Sequence, residues 1–324
     1  MKGRNSLLQF GAALAVAALF GCGGGGGGGG GPAPLQQPPS TPVAITTSNL
    51  QQVADASLDP AVGGTDAFGT STSSTDAPES KPRVLLRAMQ SLSNEAKKPR
   101  ASSSGLSDAP VNETCAFGGS VTGDETPTSA TLNFNNCSPE TGEVINGSLS
   151  VNVLENTTTT FRASFNVNII FTQTGSQPLR LVGSFSINEA CDPVFPSNCT
   201  GTFSGASLGA AHGAEVWFIS GFNIMAVTTN GNVTITASYT VASSDLNGSV
   251  VVNTTTPIQI AAGAAYPHVG VIRVTGANGS KADISITSAN PADPTAVQVQ
   301  IDANGDDVFE APTLAYSWNQ LEAI

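Results

Sequence analysis

The chain has 324 residues, of which 40% are hydrophobic and only 11% charged, with a formal net charge of −12. From residue 101 onward four basic residues stand against eighteen acidic ones; a surface so acidic repels phosphates, which excludes nucleic acid as a partner. Ser, Thr, Asn and Gly take the place of charge, a balance that suits an extracytoplasmic β protein better than a cytosolic enzyme.

Lys2 and Arg4 precede an apolar run over residues 7–20 that only Gln9 interrupts. A positive start and a short apolar segment make a secretory signal, and this one is too short to span a bilayer. The run ends in Leu19-Phe20-Gly21-Cys22, which resembles the bacterial lipobox. The resemblance implies that residues 1–21 are a signal peptide removed on export, and that Cys22 carries a diacylglycerol and an acylated amino terminus. Phe20 is bulkier than the residue usual there; the alternative is an ordinary cleaved signal with an incidental Cys. Buried acyl chains contribute about 0.8 kcal/mol per CH₂, so several chains anchor the protein permanently to a membrane. Gly23 stands where inner-membrane retention signals place Asp. The expected location is therefore the outer membrane, facing the periplasm or the cell surface.

Residues 22–110 read as a low-complexity tether. Nine glycines, Gly23 to Gly31, give a flexible coil, and Pro32, Pro34, Pro38, Pro39 and Pro42 stiffen the adjoining stretch. Two helical islands interrupt it. Leu50, Val53, Ala54 and Leu58 share one face over residues 49–58, and Val84, Leu85, Ala88, Met89, Leu92 and Ala96 do so over residues 82–98. Pro82 suits a first turn and Pro99 stops the second helix. Lys81, Arg83, Arg87, Lys97, Lys98 and Arg100 crowd around this second island, half of the twelve basic residues. It reads as a basic amphipathic helix for an anionic membrane or the acidic β domain, or as a docking helix with solvated charges.

From residue 111 to 324 the period becomes two. Phe161, Ala163, Phe165, Val167, Ile169 and Phe171 alternate with mostly polar residues, as do Val233, Ile235, Ala237, Tyr239 and Val241. One apolar face and one hydroxyl- or amide-bearing face mark half-buried antiparallel strands. Turn pairs such as Asn230-Gly231, Asn247-Gly248, Asn278-Gly279 and Asn304-Gly305 punctuate about a dozen of them. The fold class is all-β: one acidic domain with a large antiparallel sheet, either a sandwich or a rolled meander.

Cys115, Cys137, Cys191 and Cys199 remain after the anchor, an even number that in an exported chain reads as disulfides. Three connectivities exist; local pairing, Cys115 with Cys137 and Cys191 with Cys199, closes the shortest loops and is preferred. No Cys pair or His has zinc-ligand spacing.

The order of motifs resembles an uncharacterised family of Gram-negative lipoproteins with a polyglycine tether after the lipobox Cys. It rests on short matches: Ile45 to Val53, Thr131 to Cys137, Asn146 to Ser150, Gly276 to Ser280 and Ile301 to Asp307. The resemblance implies an envelope location and brings no catalytic residues.

Three constellations bear on chemistry. Asp302, Asn304, Asp306, Asp307 and Glu310 place oxygen ligands at near-alternate positions, a candidate calcium loop. The sixth and twelfth positions hold Asp307 and Thr313 where an EF-hand wants Gly and Glu, so a hairpin turn is the favoured reading. Gly205-Ala206-Ser207-Leu208-Gly209 matches a nucleophile elbow, with His212 and His268 elsewhere, but lacks the strand-to-helix context the elbow requires. Trp217, Phe218 and Phe222, within residues 216–227, could line an apolar ligand cavity or form core.

The expectation is thus a lipid-anchored envelope protein with a non-catalytic structural or interaction role and no required cofactor, calcium being the one candidate. Its partners are a membrane, through the anchor, and an envelope protein. An apolar-ligand carrier is the alternative and a serine esterase the remote one.

Overall fold

The computed structural model describes residues 35–63 and 109–321, single positions 140, 176 and 196 excepted. The expected signal peptide, Cys22, the glycine run and the basic stretch at 82–98 lie outside the described residues. The described chain forms one antiparallel sheet whose fourteen strands follow one another in sequence order, a meander without crossovers. The strands are β1 (Ala109–Thr114), β2 (Ser120–Glu125), β3 (Ser129–Cys137), β4 (Glu143–Asn156), β5 (Thr160–Gln173), β6 (Leu179–Cys191) and β7 (Cys199–His212). They continue with β8 (Glu215–Thr229), β9 (Asn232–Ser243), β10 (Gly248–Ile260), β11 (Val269–Thr275), β12 (Lys281–Ile286), β13 (Val297–Asp302) and β14 (Glu310–Tyr316). Of the two expected arrangements, the meander is the one formed, since all strands join a single sheet.

The alternation read from the sequence becomes the two faces of this sheet. Phe161, Ala163, Phe165, Val167, Ile169 and Phe171 of β5 are all buried, while Arg162, Asn166 and Asn168 between them are exposed. A ladder of rings crosses four strands on the buried face: Phe165 stacks on Phe185 at 4.7 Å, Phe185 meets Phe203 at 5.4 Å, and Phe203 meets Phe222 at 4.8 Å. Each such pair adds about 0.5–1.5 kcal/mol beyond the area it buries. The opposite face displays Ser, Thr and Asn, as at Ser148, Ser150 and Asn152 of β4. A membrane-spanning barrel needs the reverse, apolar residues outward.

Asn-Gly turns set the hairpins. Asn230 and Gly231 both have positive φ, 50° and 80°, and join β8 to β9 with two residues, the geometry that matches strand twist. The two edges are blunted by proline, which offers no N–H to an incoming strand: Pro110 lies in β1 and Pro312 in β14. Pro257 lies inside internal β10, at the register shifts where that strand departs from both neighbours.

The folded body begins earlier than residue 111, and this corrects the tether boundary drawn from composition. Pro42 bridges Ser249 of β10 in parallel, and the Ala277 N–H donates to the Val43 carbonyl at 2.8 Å. Only glycine allows this approach: a Cβ on Gly276 would sit 2.3 Å from the Val43 oxygen, and one on Gly248 2.6 Å from that of Thr41. The Ile45 N–H then donates to Ser280 Oγ at 2.9 Å.

Helix α1 (Leu50–Gly63) comes next, five residues longer at its C-terminal end than the expected island and running through Pro60. Asn49 stands just before its start: its carbonyl accepts the first helical bond, from Val53 N–H, while its Oδ1 turns back to accept from Thr46 N–H at 2.8 Å and fixes the turn that leads in. Leu50, Val53, Ala54, Leu58 and Ala61 are buried against β9, β10 and β11, which draws α1 into the core. A four-residue helix, α2 (Trp318–Leu321), closes the described chain and touches α1. Trp318 stacks on Tyr266 and donates its Nε1–H to the Ser288 carbonyl at 3.0 Å.

Candidate functional site

The acidic loop between β13 and β14 is built around Asp302, whose side chain is fully buried. Its Oδ1 accepts from the N–H groups of Gly305 at 2.7 Å and Asp306 at 3.2 Å, and its Oδ2 from Asp307 N–H at 2.9 Å. Asn304 Oδ1 accepts from Asp306 N–H, Asp306 Oδ1 from Val308 N–H, and the Glu310 carboxylate from Ala303 N–H. Each of these side chains, expected as a calcium ligand, is therefore turned toward a donor of the loop itself. Among the described residues, no three carboxylates of this loop bring their oxygens within 4.8 Å of one another. The loop is a self-satisfied turn, with Asp307 at φ 67° making the reversal.

Lys281, which the sequence pattern did not single out, completes the loop. Its ammonium bonds Asp307 and lies 4.0 Å from Asp302 Oδ2. That hydrogen bond, and the charge behind it, hold the Asp307 carboxyl below its ordinary range. Beside it Arg273 grips Asp283 through Nε at 2.8 Å and Nη2 at 2.7 Å, and stands over the Phe309 ring. The bond to Asp283 raises the Arg273 pKa above its ordinary value. The signal for this patch was cross-strand register, since Arg273 pairs with Asp283 and Lys281 with Asp302 on β11, β12 and β13.

Ser207 lies in the middle of β7, paired with Ser184 and Ser220. No strand-to-helix turn exposes it. His212 ends the same strand, opposite Glu215, and His268 precedes β11; no described hydrogen bond joins Ser207 to either. Trp217, Phe218 and Phe222 are buried in the sheet, Phe222 in the ring ladder. Trp217 Nε1 is buried without an acceptor among the described residues.

All four cysteines pair as the shortest loops predict, Cys115 with Cys137 and Cys191 with Cys199. The first bridge ties the edge of β1 to the end of β3; the second joins registered positions of β6 and β7. Glu189, Cys191 and Cys199 bring ligand atoms together, but both sulfurs are already joined to each other, so no thiolate is there to bind metal.

No protein family, curated protein or solved structure matches this chain. Among the described residues no helix is long and apolar enough to cross a membrane.

Proposed function

We propose that this is a lipid-anchored protein of the bacterial cell envelope, held at the outer membrane through Cys22, with a non-catalytic structural or interaction role. The observation that carries the reading is the match of front end and body. A lipobox-like signal directs export, and the described body holds two disulfides, which belong to an oxidising compartment. The polar outward face, rich in Ser, Thr and Asn, suits a body that stands in water beside the membrane. Family membership among polyglycine-tethered lipoproteins is part of the same proposal.

The test is mass spectrometry of native protein extracted from membranes, beside a Cys22→Ser variant. The expected result is a chain starting at Cys22 with acyl chains attached, and release of the variant from the membrane fraction. A native chain that retains Met1, or carries no acyl group, overturns the reading.

A further inference from the structure

The fourteen strands find their register partners among themselves, and residues 40–63 are laid on that sheet from outside. Register between β10 and β11 begins at Val251; beside Gly248 and Ser249 the segment before α1 takes the place of a neighbouring strand. The Ser249 N–H donates to the Thr41 carbonyl and the Val43 N–H to the Ser249 carbonyl, both at 3.0 Å. Ser249 Oγ adds a bond to the Ser40 carbonyl at 2.8 Å. No covalent bridge secures this strap, because the four paired cysteines all lie between residues 115 and 199.

Helix α1 is held less firmly than its apolar side suggests. Ser57 is fully buried, yet its Oγ has no hydrogen-bond partner among the described residues, and neither has the buried Oε1 of Gln52. Both atoms lose water on docking without gaining a partner, which weakens the docked form relative to an open one. Pro60 cannot donate to the Ala56 carbonyl four residues back, so the last turn is short of a bond. The first turn carries no acidic residue and the last no basic one, so side-chain charge complements the helix dipole at neither end. The sheet keeps its register without the helix, since β9, β10 and β11 are each paired with strands on both sides.

We propose that residues 40–63 form a releasable latch, which leaves the sheet as one unit under native conditions while the fourteen strands stay paired. Release breaks the strap bonds to Ser249, Ala277 and Ser280 and the bond from Tyr239 to Ser57, but no bond between strands. A fourteen-residue helix is marginal in water by itself, so α1 unravels as it leaves and its amides open together with those of the strap. The opening bares to water the buried side of β9, β10 and β11 on which α1 packs. Local units of this kind open at lower free energy than the core that carries them.

The test is hydrogen–deuterium exchange of the intact protein without denaturant, resolved into peptides by mass spectrometry. The expected result is a protection factor for residues 43–63 about a hundredfold or more below that of the buried strands β5 to β8. Strap and helix share that one factor, and β9 keeps the protection of β8. Ser57→Ala removes the unpaired hydroxyl and leaves the carbonyl that Tyr239 grips. It is expected to slow exchange of the latch by about threefold or more, with β5 to β8 unchanged. A latch as protected as β5 to β8 overturns the proposal, because the segment would then open only with the whole fold. So does a tenfold difference between strap and helix, which would be fraying, or loss of β9 protection in step with α1. Latch exchange in Ser57→Ala as fast as in the wild type overturns it too.

Discussion

The hydroxyl of Tyr239, buried in the middle of β9, donates to the carbonyl of Ser57 in α1, 182 residues earlier in the chain. This bond pins the helix to the strand that covers it. Tyr239→Phe keeps the ring and removes only the donor, leaving a buried carbonyl short of a partner. The expected loss is about 1–2 kcal/mol in urea unfolding, with no change in far-ultraviolet circular dichroism.

Asp302 organises its loop through three backbone N–H groups, whereas Asp306 is exposed. Asp302→Ala leaves those donors without their acceptor and should cost about 2–4 kcal/mol. Asp306→Ala should cost under about 1 kcal/mol. Because the oxygens are already engaged, about 1 mM calcium is expected to move the melting temperature by less than about 1 °C. A larger rise would mean that the cation binds the native state, since ligand binding to the folded form raises stability by mass action.

The acid limb of stability rests on carboxyls held below their ordinary range. Asp307 is lowered chiefly by its hydrogen bond to Lys281, and Asp293 by bonds from the Thr295 backbone, then its side chain, and from Ser288. A depressed carboxyl stabilises the fold above its ordinary pKa of 3.8 and loses that contribution as pH falls through the lower folded value. Lys281→Met should therefore flatten the loss of stability below about pH 4, measured by urea titration at successive pH values, without altering the Asp293 share.

The two disulfides close loops of different length, with sequence separations of 22 and 8. On the chain-entropy model the longer loop contributes about 3.4 kcal/mol and the shorter about 2.5 kcal/mol. Paired Ser variants at Cys115 and Cys137 should thus lower the urea midpoint more than those at Cys191 and Cys199.

Much of the sheet was legible because alternation is a local signal. Phe161 to Phe171 and Val233 to Val241 fall on the buried face as their spacing requires, and Asn230-Gly231 turns where its backbone freedom allows. The placement of α1 was not legible, because it depends on Ile45, Val43 and Tyr239 meeting partners more than 180 residues away. Composition put residues 41–63 in the tether; tertiary contact overrode it. The acidic loop shows the converse. Its ligand-like spacing was real, but the same spacing lets Asp302 collect its own backbone donors, and only geometry separates the two outcomes.

The meander gives each strand a neighbour made just before it, so hairpins can zip one by one as the polypeptide emerges. Helix α1 breaks that schedule. It is synthesised ahead of every described strand, but its seat on β9, β10 and β11 is complete only when Thr275 has been added, 212 residues beyond Gly63. The first-made of the described elements thus waits for most of the sheet before it can dock. Trapping of α1 by a passing surface during that wait is the step at which biogenesis is most exposed to error.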